Sequence, residues 1–350
     1  MSGVDNSQRL PLDQLPTSNR DGRSHEASAL RQRHTPANVG VAAQLACLLE
    51  ASAPKPGNVS PGRSFADLRY EDFLASASAI GEPLAGAGTR GLGATVRLAV
   101  EATAQWTRSN TNLGIVLLLA PLARAALGSD LDSCASSCKW GRESLVADPP
   151  KTPDPICKNQ DLTPGLRDAV RQVLAETTIA DASDVYAAIR LAAPGGLGSA
   201  EAQDVAAEPT MTLTEVMRLA AHRDSIAREY ATDFELTFGT AVPALERARR
   251  DGLSWEDAVV ETCLTVLAAV PDTHIARRSG AARAAEATEL ARGARAAGGV
   301  RSTAGRAALD EMDRALRDAQ NSGNPGTTAD LTAAAIFVVL LGGGWVSRSG

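Results

Sequence analysis

Ile115-Val116-Leu117-Leu118-Leu119-Ala120-Pro121-Leu122-Ala123-Arg124-Ala125-Ala126-Leu127 is the stretch on which the fold turns. Apart from Arg124 it is apolar on every side, and a helix that is hydrophobic all round has to lie at the centre of a larger helical body. It is too short to span a bilayer, as is the second apolar run near Ile336 to Leu341. Pro121 lies inside it and predicts a kink, or two helices meeting there.

Working outward, the polar break Ser109-Asn110-Thr111-Asn112-Leu113-Gly114 precedes this helix, and amphipathic patterns fill Gly91 to Trp106, Tyr70 to Ile80 and Val39 to Leu49. Thr35-Pro36 opens the first of these with an N-cap and a first-turn proline. On the other side, Thr163-Pro164 opens a helix, Asp181 caps another that ends at Pro194-Gly195-Gly196, and Thr212 with Glu215 starts a long helix reaching about Phe234. Ser254 and Asp257 open the next, closed by Pro271; Ala281 to Ala297 and Ala307 to Gln320 are Ala/Arg/Glu-rich helices. The last helix follows Asn324-Pro325-Gly326-Thr327-Thr328-Ala329-Asp330 and runs to Leu341. No alternating strand pattern and no fixed-period repeat appears. The expectation is an all-α fold, one multi-helix bundle-like domain over residues 35–345. Residues 1–34 are polar without an apolar face and predict a disordered tail. Residues 128–162, rich in Cys, Lys and Pro, predict an inserted surface loop.

Composition narrows the function classes. Of 350 residues only 3% are aromatic, and the net charge of -6 gives no general basic footprint, which disfavours duplex nucleic acid as the main partner. The N-terminus lacks an apolar signal core, so the expectation is a soluble, cytoplasmic protein without a membrane partner. Cys47 and Cys263 sit in apolar helical patterns as small hydrophobes. Cys134, Cys138 and Cys157 share the insert without a histidine near them, which favours reduced thiols over zinc.

Three breaks share a character that invites chemistry. In Ala53-Pro54-Lys55-Pro56-Gly57-Asn58-Val59 two prolines stiffen an elbow around Lys55, one of only four lysines in the chain. A compact ammonium on such an elbow suits a phosphate oxygen. The Asn110/Asn112 turn and the Asn324 to Asp330 turn each join Asn, Thr or Gly to an apolar helix, where free backbone N–H groups can receive an anion. If the three meet they could cradle a polyphosphate; taken singly, Asn112, Thr327 and Thr328 also read as ordinary N-caps. A second constellation is acidic: His222, Ile226, Glu229 and Asp233 at i, i+4, i+7, i+11, then Asp272-Thr273-His274 with Arg277 and Arg278, and Asp67 and Asp72 about the second helix. It reads either as carboxylates for Mg²⁺ arriving with a nucleotide or as solvated charge. No Walker A, GxGxxG or HExxH motif is present.

At these residues the sequence resembles the triphosphoribosyl-dephospho-CoA synthase family, an all-helical family. Pro54-Lys55-Pro56-Gly57-x-Val59 is similar to its T-P-K-P-G-L-V-D, and Asn110-Thr111-x-x-Gly114 to G-V-N-T-H-K-G. Asp272-Thr273 with Arg278 and Gly280 is similar to D-T-N-x-x-x-R-G-G, and Pro325-Gly326-x-x-Ala329-Asp330-Leu331 to S-P-G-G-S-A-D-L. Glu229 and Phe234 resemble R-G-E-A-x-x-G-F with the arginine displaced. Ser60 replaces the family's Asp after the first motif, and Asn112-Leu113 replaces its His-Lys pair.

The resemblance implies attack by the 2'-hydroxyl of 3'-dephospho-CoA on the ribose C1' of ATP, displacing adenine and keeping the triphosphate. Under that reading Asp272, Glu229 and Asp330 are the catalytic candidates. Lys55, Gly57, Asn110, Thr111, Asn112, Arg278 and Thr327 hold nucleotide and phosphate, and Glu229 and Asp272 double as Mg²⁺ ligands. ATP and 3'-dephospho-CoA are the expected small-molecule partners, with a homodimer as the candidate assembly. Two other readings stand beside it: a different nucleotide-dependent transfer in C1-carrier cofactor biosynthesis, and a non-catalytic helical interaction protein of the same fold.

Overall fold

In the computed structural model, which describes residues 34–128, 162–318 and 321–345, helices follow one another through short turns. The strand-like pairing among the described residues is an isolated bridge between Ser60 and Arg63. The all-α expectation holds. The segments expected as tail and insert, with Cys134, Cys138 and Cys157, lie outside the described residues except at their edges.

In chain order the helices are α1 Pro36–Ser52, α2 Tyr70–Ala79, α3 Gly81–Ala85, α4 Leu92–Ala104, α5 Leu113–Gly128, α6 Leu162–Ala175, α7 Ile179–Ala192 and α8 Leu213–Ala220. They continue as α9 Ser225–Ala231, α10 Val242–Arg250, α11 Trp255–Ala269, α12 Thr273–Ser279, α13 Ala281–Ala296, α14 Thr303–Leu316 and α15 Gly326–Leu341. α5 and α15 form the centre. From Leu331 to Leu341 every residue of α15 is buried, and α5 is buried from Ile115 to Ala123. Each fully buried Leu, Ile or Phe contributes about 1.5–3 kcal/mol, so these two helices anchor the body. α1 packs along α15, α6 covers α5, and α11 lies between α15 and α13. A smaller core joins α11, α12, α13 and α14 through Leu264, Ile275, Ala287, Ala291, Met312 and Leu316.

Local causes are readable. α1 ends because Pro54 cannot continue it. Pro121 does not split α5, which runs through it as one helix. The missing proline N–H leaves the Leu117 carbonyl without its helical donor, and the buried Tyr230 hydroxyl donates to that carbonyl at 2.7 Å. Cys47 and Cys263 are buried as expected, and burial pushes the Cys263 thiol up to about 12.

The long helix expected from Thr212 to Phe234 is two. Asp224 accepts from the N–H groups of Ile226 and Ala227 and so caps a new helix, α9. Beyond α9, Asp233 and Phe234 take positive φ of 54° and 59°, a left-handed conformation that costs non-glycine residues of order 1–3 kcal/mol each. Hence His222, Ile226, Glu229 and Asp233 form no stripe: His222 is exposed while Ile226 and Glu229 are buried. Two smaller corrections apply. Thr178 rather than Asp181 caps α7, with Asp181 answering as the third residue of a capping box. Asp330 lies inside α15, not ahead of it.

Among the described residues no single helix is long and apolar enough to cross a membrane; α11 and α12 reach that length only together, across a bend of 61°.

Candidate active site

The N-terminus of α15 is where the separated motifs meet. From the elbow, Gly57 has a φ of 74°, and a Cβ there would sit 3.1 Å from the Pro325 ring and 3.0 Å from Leu316. Its neighbour Asn58 donates through Nδ2 to Asn324 Oδ1 at 2.7 Å. From the start of α5, Gly114 faces the Asp330 carboxylate so closely that no Cβ would fit. From α12, Thr273 Oγ1 bonds Thr327 Oγ1 at 3.2 Å, and His274 Nδ1 pairs with the Asn324 carbonyl at 3.1 Å. Gly326 packs on the His274 ring, leaving 2.7 Å for a Cβ. The elbow, the Asn110 turn and the Asn324 to Asp330 turn therefore gather at one place.

Asp272 holds this junction together. One carboxylate oxygen caps its own helix through Ile275 N at 3.0 Å. The other accepts from both the N–H and the hydroxyl of Thr328 at 2.7 Å, and so caps α15 from outside its own sequence. Buried at 2% exposure, it satisfies two helix starts at once, each cap typically contributing about 1 kcal/mol.

Lys55 does not project from the elbow. It is fully buried, at 0% exposure. Its ammonium pairs with Glu50 Oε1 at 2.9 Å, bonds the Glu50 carbonyl and bonds the Ala53 carbonyl at 3.3 Å. The side chain carried by this stiff turn points inward, against the expectation that it would present its ammonium to a phosphate. Glu50, unforeseen from the sequence, was detectable as the lone charged residue of α1.

Asp330 occupies the opposite situation. Part of its surface stays open to solvent although protein crowds its carboxyl closely. Loss of solvent, then the negative charges of Glu50, Asp272 and Asp224, raise its pKa well above the ordinary carboxylate range, against the pull of Arg277. Arg277 reaches Asp224 at 3.2 Å and the Gly195 carbonyl at 3.3 Å. His274 titrates below its usual value because of burial, opposed by the charge of Asp272.

The other expected residues divide. Asn110 is exposed and caps α5 through Leu113 N at 3.2 Å. Thr111 and Asn112 are buried, Thr111 against Ser76 Oγ and Asn112 on Thr103 Oγ1 at 3.0 Å. Arg278 is exposed at the end of α12. Asp72 accepts from Arg69 N and from the Thr107 hydroxyl, and Asp67 from Asn321.

Glu229 stands apart in function. At 0% exposure it accepts from Leu236 N at 2.8 Å and Thr237 N at 2.9 Å, clamping the left-handed Asp233-Phe234 turn. Burial raises its pKa, and these hydrogen bonds work against the rise. The oxygens of Glu229 and Asp272, the two expected Mg²⁺ ligands, are thus engaged on protein donors. Among the described residues no group of three or more His, Cys, Asp or Glu is placed to hold a metal. These residues do not fit a resident Mg²⁺.

Two surface hollows lie elsewhere, one bordered by Pro54, Arg63, Asp257 and Arg306, the other by Leu92, Arg124, Glu176 and Asp184. Neither includes Asp330, so the candidate site is assigned by the meeting of the loops.

A family model described as ATP:dephospho-CoA triphosphoribosyl transferase matches residues 36–349. A protein of Pseudomonas paraeruginosa named a probable 2-(5''-triphosphoribosyl)-3'-dephosphocoenzyme-A synthase is 35% identical over 137 residues, covering 36% of this chain and 46% of that one. The 2-(5''-triphosphoribosyl)-3'-dephosphocoenzyme-A synthase of Klebsiella pneumoniae is 37% identical over 98 residues, 28% of this chain and 34% of the relative. The chain thus spans less than half the length of these curated relatives. A crystal structure from Archaeoglobus fulgidus, provisionally named a triphosphoribosyl-dephospho-CoA synthase, superposes with a TM-score of 0.53 at 25% identity, over 77% of this chain and 99% of that one.

Proposed function

The chain belongs to the ATP:dephospho-CoA triphosphoribosyl transferase family, and we propose that it moves the triphosphoribosyl group of ATP onto the 2'-hydroxyl of 3'-dephospho-CoA, releasing adenine. The observation that carries this reading is the meeting of four motif segments at the start of α15, the helix that carries Asp330.

In the transfer the 2'-oxygen bonds to C1' as the C1'–N9 bond breaks, and that electron pair leaves with adenine. Adenine needs a proton as the attacking hydroxyl loses one. Asp330, kept protonated into higher pH by its surroundings, donates the first and receives the second, so it ends as it began. Glu50, Asp224 and Asp272 surround the site with negative charge, which favours the positive charge that grows on the ribose in an oxocarbenium-like transition state. Asn110 and Arg278, both exposed, are assigned to the triphosphate, with the Thr327 hydroxyl, which accepts from Thr273, as a further donor. Asp272 is assigned to positioning rather than proton transfer, because its oxygens hold two helix starts. Magnesium enters with ATP as part of the substrate.

The test is adenine release from ATP, with and without 3'-dephospho-CoA, and the mass of the product. Release that depends on this acceptor and yields the triphosphoribosyl adduct supports the assignment. Release dependent on another acceptor moves it to a related transfer, a reading favoured by Ser60 and Asn112-Leu113 standing where the family pattern carries charged groups. Absence of nucleotide binding leaves a helical interaction protein.

A further inference from the structure

The end of α14 lies outside the four motif segments, yet both the elbow and the lead-in to α15 are seated on it. The Gly57 N–H, which a phosphate would need, donates to Asp313 Oδ1 at 2.8 Å. Arg317 Nε, one turn on, donates to both oxygens of that carboxylate at 2.9 Å. Its guanidinium also donates to the Asn58 carbonyl and lies 5.0 Å from the centre of the Phe65 ring. The more exposed Arg63 approaches Asp313 Oδ2 at 3.3 Å. Asp313 is buried, at 8% exposure, and a charge at that depth is sustained only by partners of this kind. Beside them Gly323 packs so tightly on α14 that a Cβ would come within 2.5 Å of the Leu316 carbonyl.

We propose that Asp313 and Arg317 act together as positioning residues: they hold the Gly57-Asn58 peptide against Asn324 and Pro325, and so fix the first turn of α15 without contacting the nucleotide. The contacts run without a gap. Asp313 holds Gly57, Gly57 lies against the Pro325 ring, Asn58 bonds Asn324, and the Asn324 carbonyl meets His274, next to the Thr273 that bonds Thr327. Such remote support matters because a misplacement of about 1 Å in a substrate-holding group can cost on the order of a hundredfold in rate. The effect falls on ATP binding rather than on proton transfer. Thr327 stands in the supported turn, whereas Asp330 is a turn further in, where α1 and α5 pack on α15. The consequence for ATP rests on the transfer proposed above; the support of the turn does not.

The test compares the full chain with Asp313→Ala, Arg317→Met and the double variant. Amide exchange is followed over residues 57–58 and 324–328, ATP binding by calorimetry, and kcat by adenine release in the presence of 3'-dephospho-CoA. Each single variant is expected to exchange faster over both segments, with Ile179–Ala192 unchanged. Each is expected to bind ATP about tenfold more weakly while kcat stays within about threefold of the parent. The double variant is expected to match the weaker single variant, because groups in one contact network are not additive. Unchanged exchange over 324–328 in the single variants overturns the proposal, as do additive effects in the double variant. Faster exchange throughout the chain overturns it too, since the pair would then serve general stability alone. So does the parent's ATP affinity in a variant whose turn has loosened. Should Asp313→Ala fail to fold, Arg317→Met decides by the same readings, its side chain being the less enclosed of the two. A parent chain that binds no ATP, or releases no adenine, defeats the transferase reading while the exchange comparison still decides this one.

Discussion

Asp330 combines a carboxyl shut off from solvent with the company of three other carboxylates, and that combination makes a prediction about stability as well as activity. An ordinary Asp releases its proton near pH ~3.9, whereas folded Asp330 keeps its proton to higher pH. Over that interval the folded chain binds more protons than the unfolded one, so stability falls as pH rises through the folded value. Asp330→Asn removes the titration. The expected outcome is a higher melting temperature for the variant at pH 7 to 8, a smaller difference near pH 4, and loss of adenine release. Thermal melts across that range check it; a variant less stable than the parent at pH 8 would contradict the electrostatic account. The unusual status of Lys55 was visible in its rarity and its prolines, but its direction was not. Its partner Glu50 is only five residues earlier, and nothing local says that both side chains turn into the core.

At the level of helices, most positions were readable because their signals are local: Thr35-Pro36, Thr212 with Glu215 and Ser254 with Asp257 cap helices where expected. The exception is the segment after Thr212. There Asp224 acts as an N-cap within what looks like a continuing helix, and the left-handed turn at Asp233 and Phe234 is sustained by Glu229, whose oxygens clamp Leu236 and Thr237. Pro121 shows the same dependence on distant partners. Tyr230→Phe should cost about 1–3 kcal/mol by leaving the buried Leu117 carbonyl without a donor. The cost should shrink in a Pro121→Ala background, where residue 121 regains an N–H for that carbonyl. Denaturant melts of the two single variants and the pair give the coupling directly, and additive effects would refute the explanation.

For the molecule as a whole, two apolar helices at the centre were legible in composition alone, and they fix where the site can be. α15 has one charged residue, Asp330, near its start and runs apolar from Ala333 to Leu341, so its first turns are the natural meeting point for loops from α1, α5 and α12. What no reading of the chain could supply was the division of labour at that junction: Asp272 and Glu229 tie backbone, Lys55 ties Glu50, and Asp330 remains partly open. The central claim is that ATP is received at this junction, and amide hydrogen exchange on the full chain with and without ATP tests it. The account predicts slower exchange over residues 110–114, 272–274 and 326–331, with Ala281–Ala296 unchanged. Protection confined to the hollow bordered by Pro54, Arg63, Asp257 and Arg306, or no protection at saturating ATP, would contradict it.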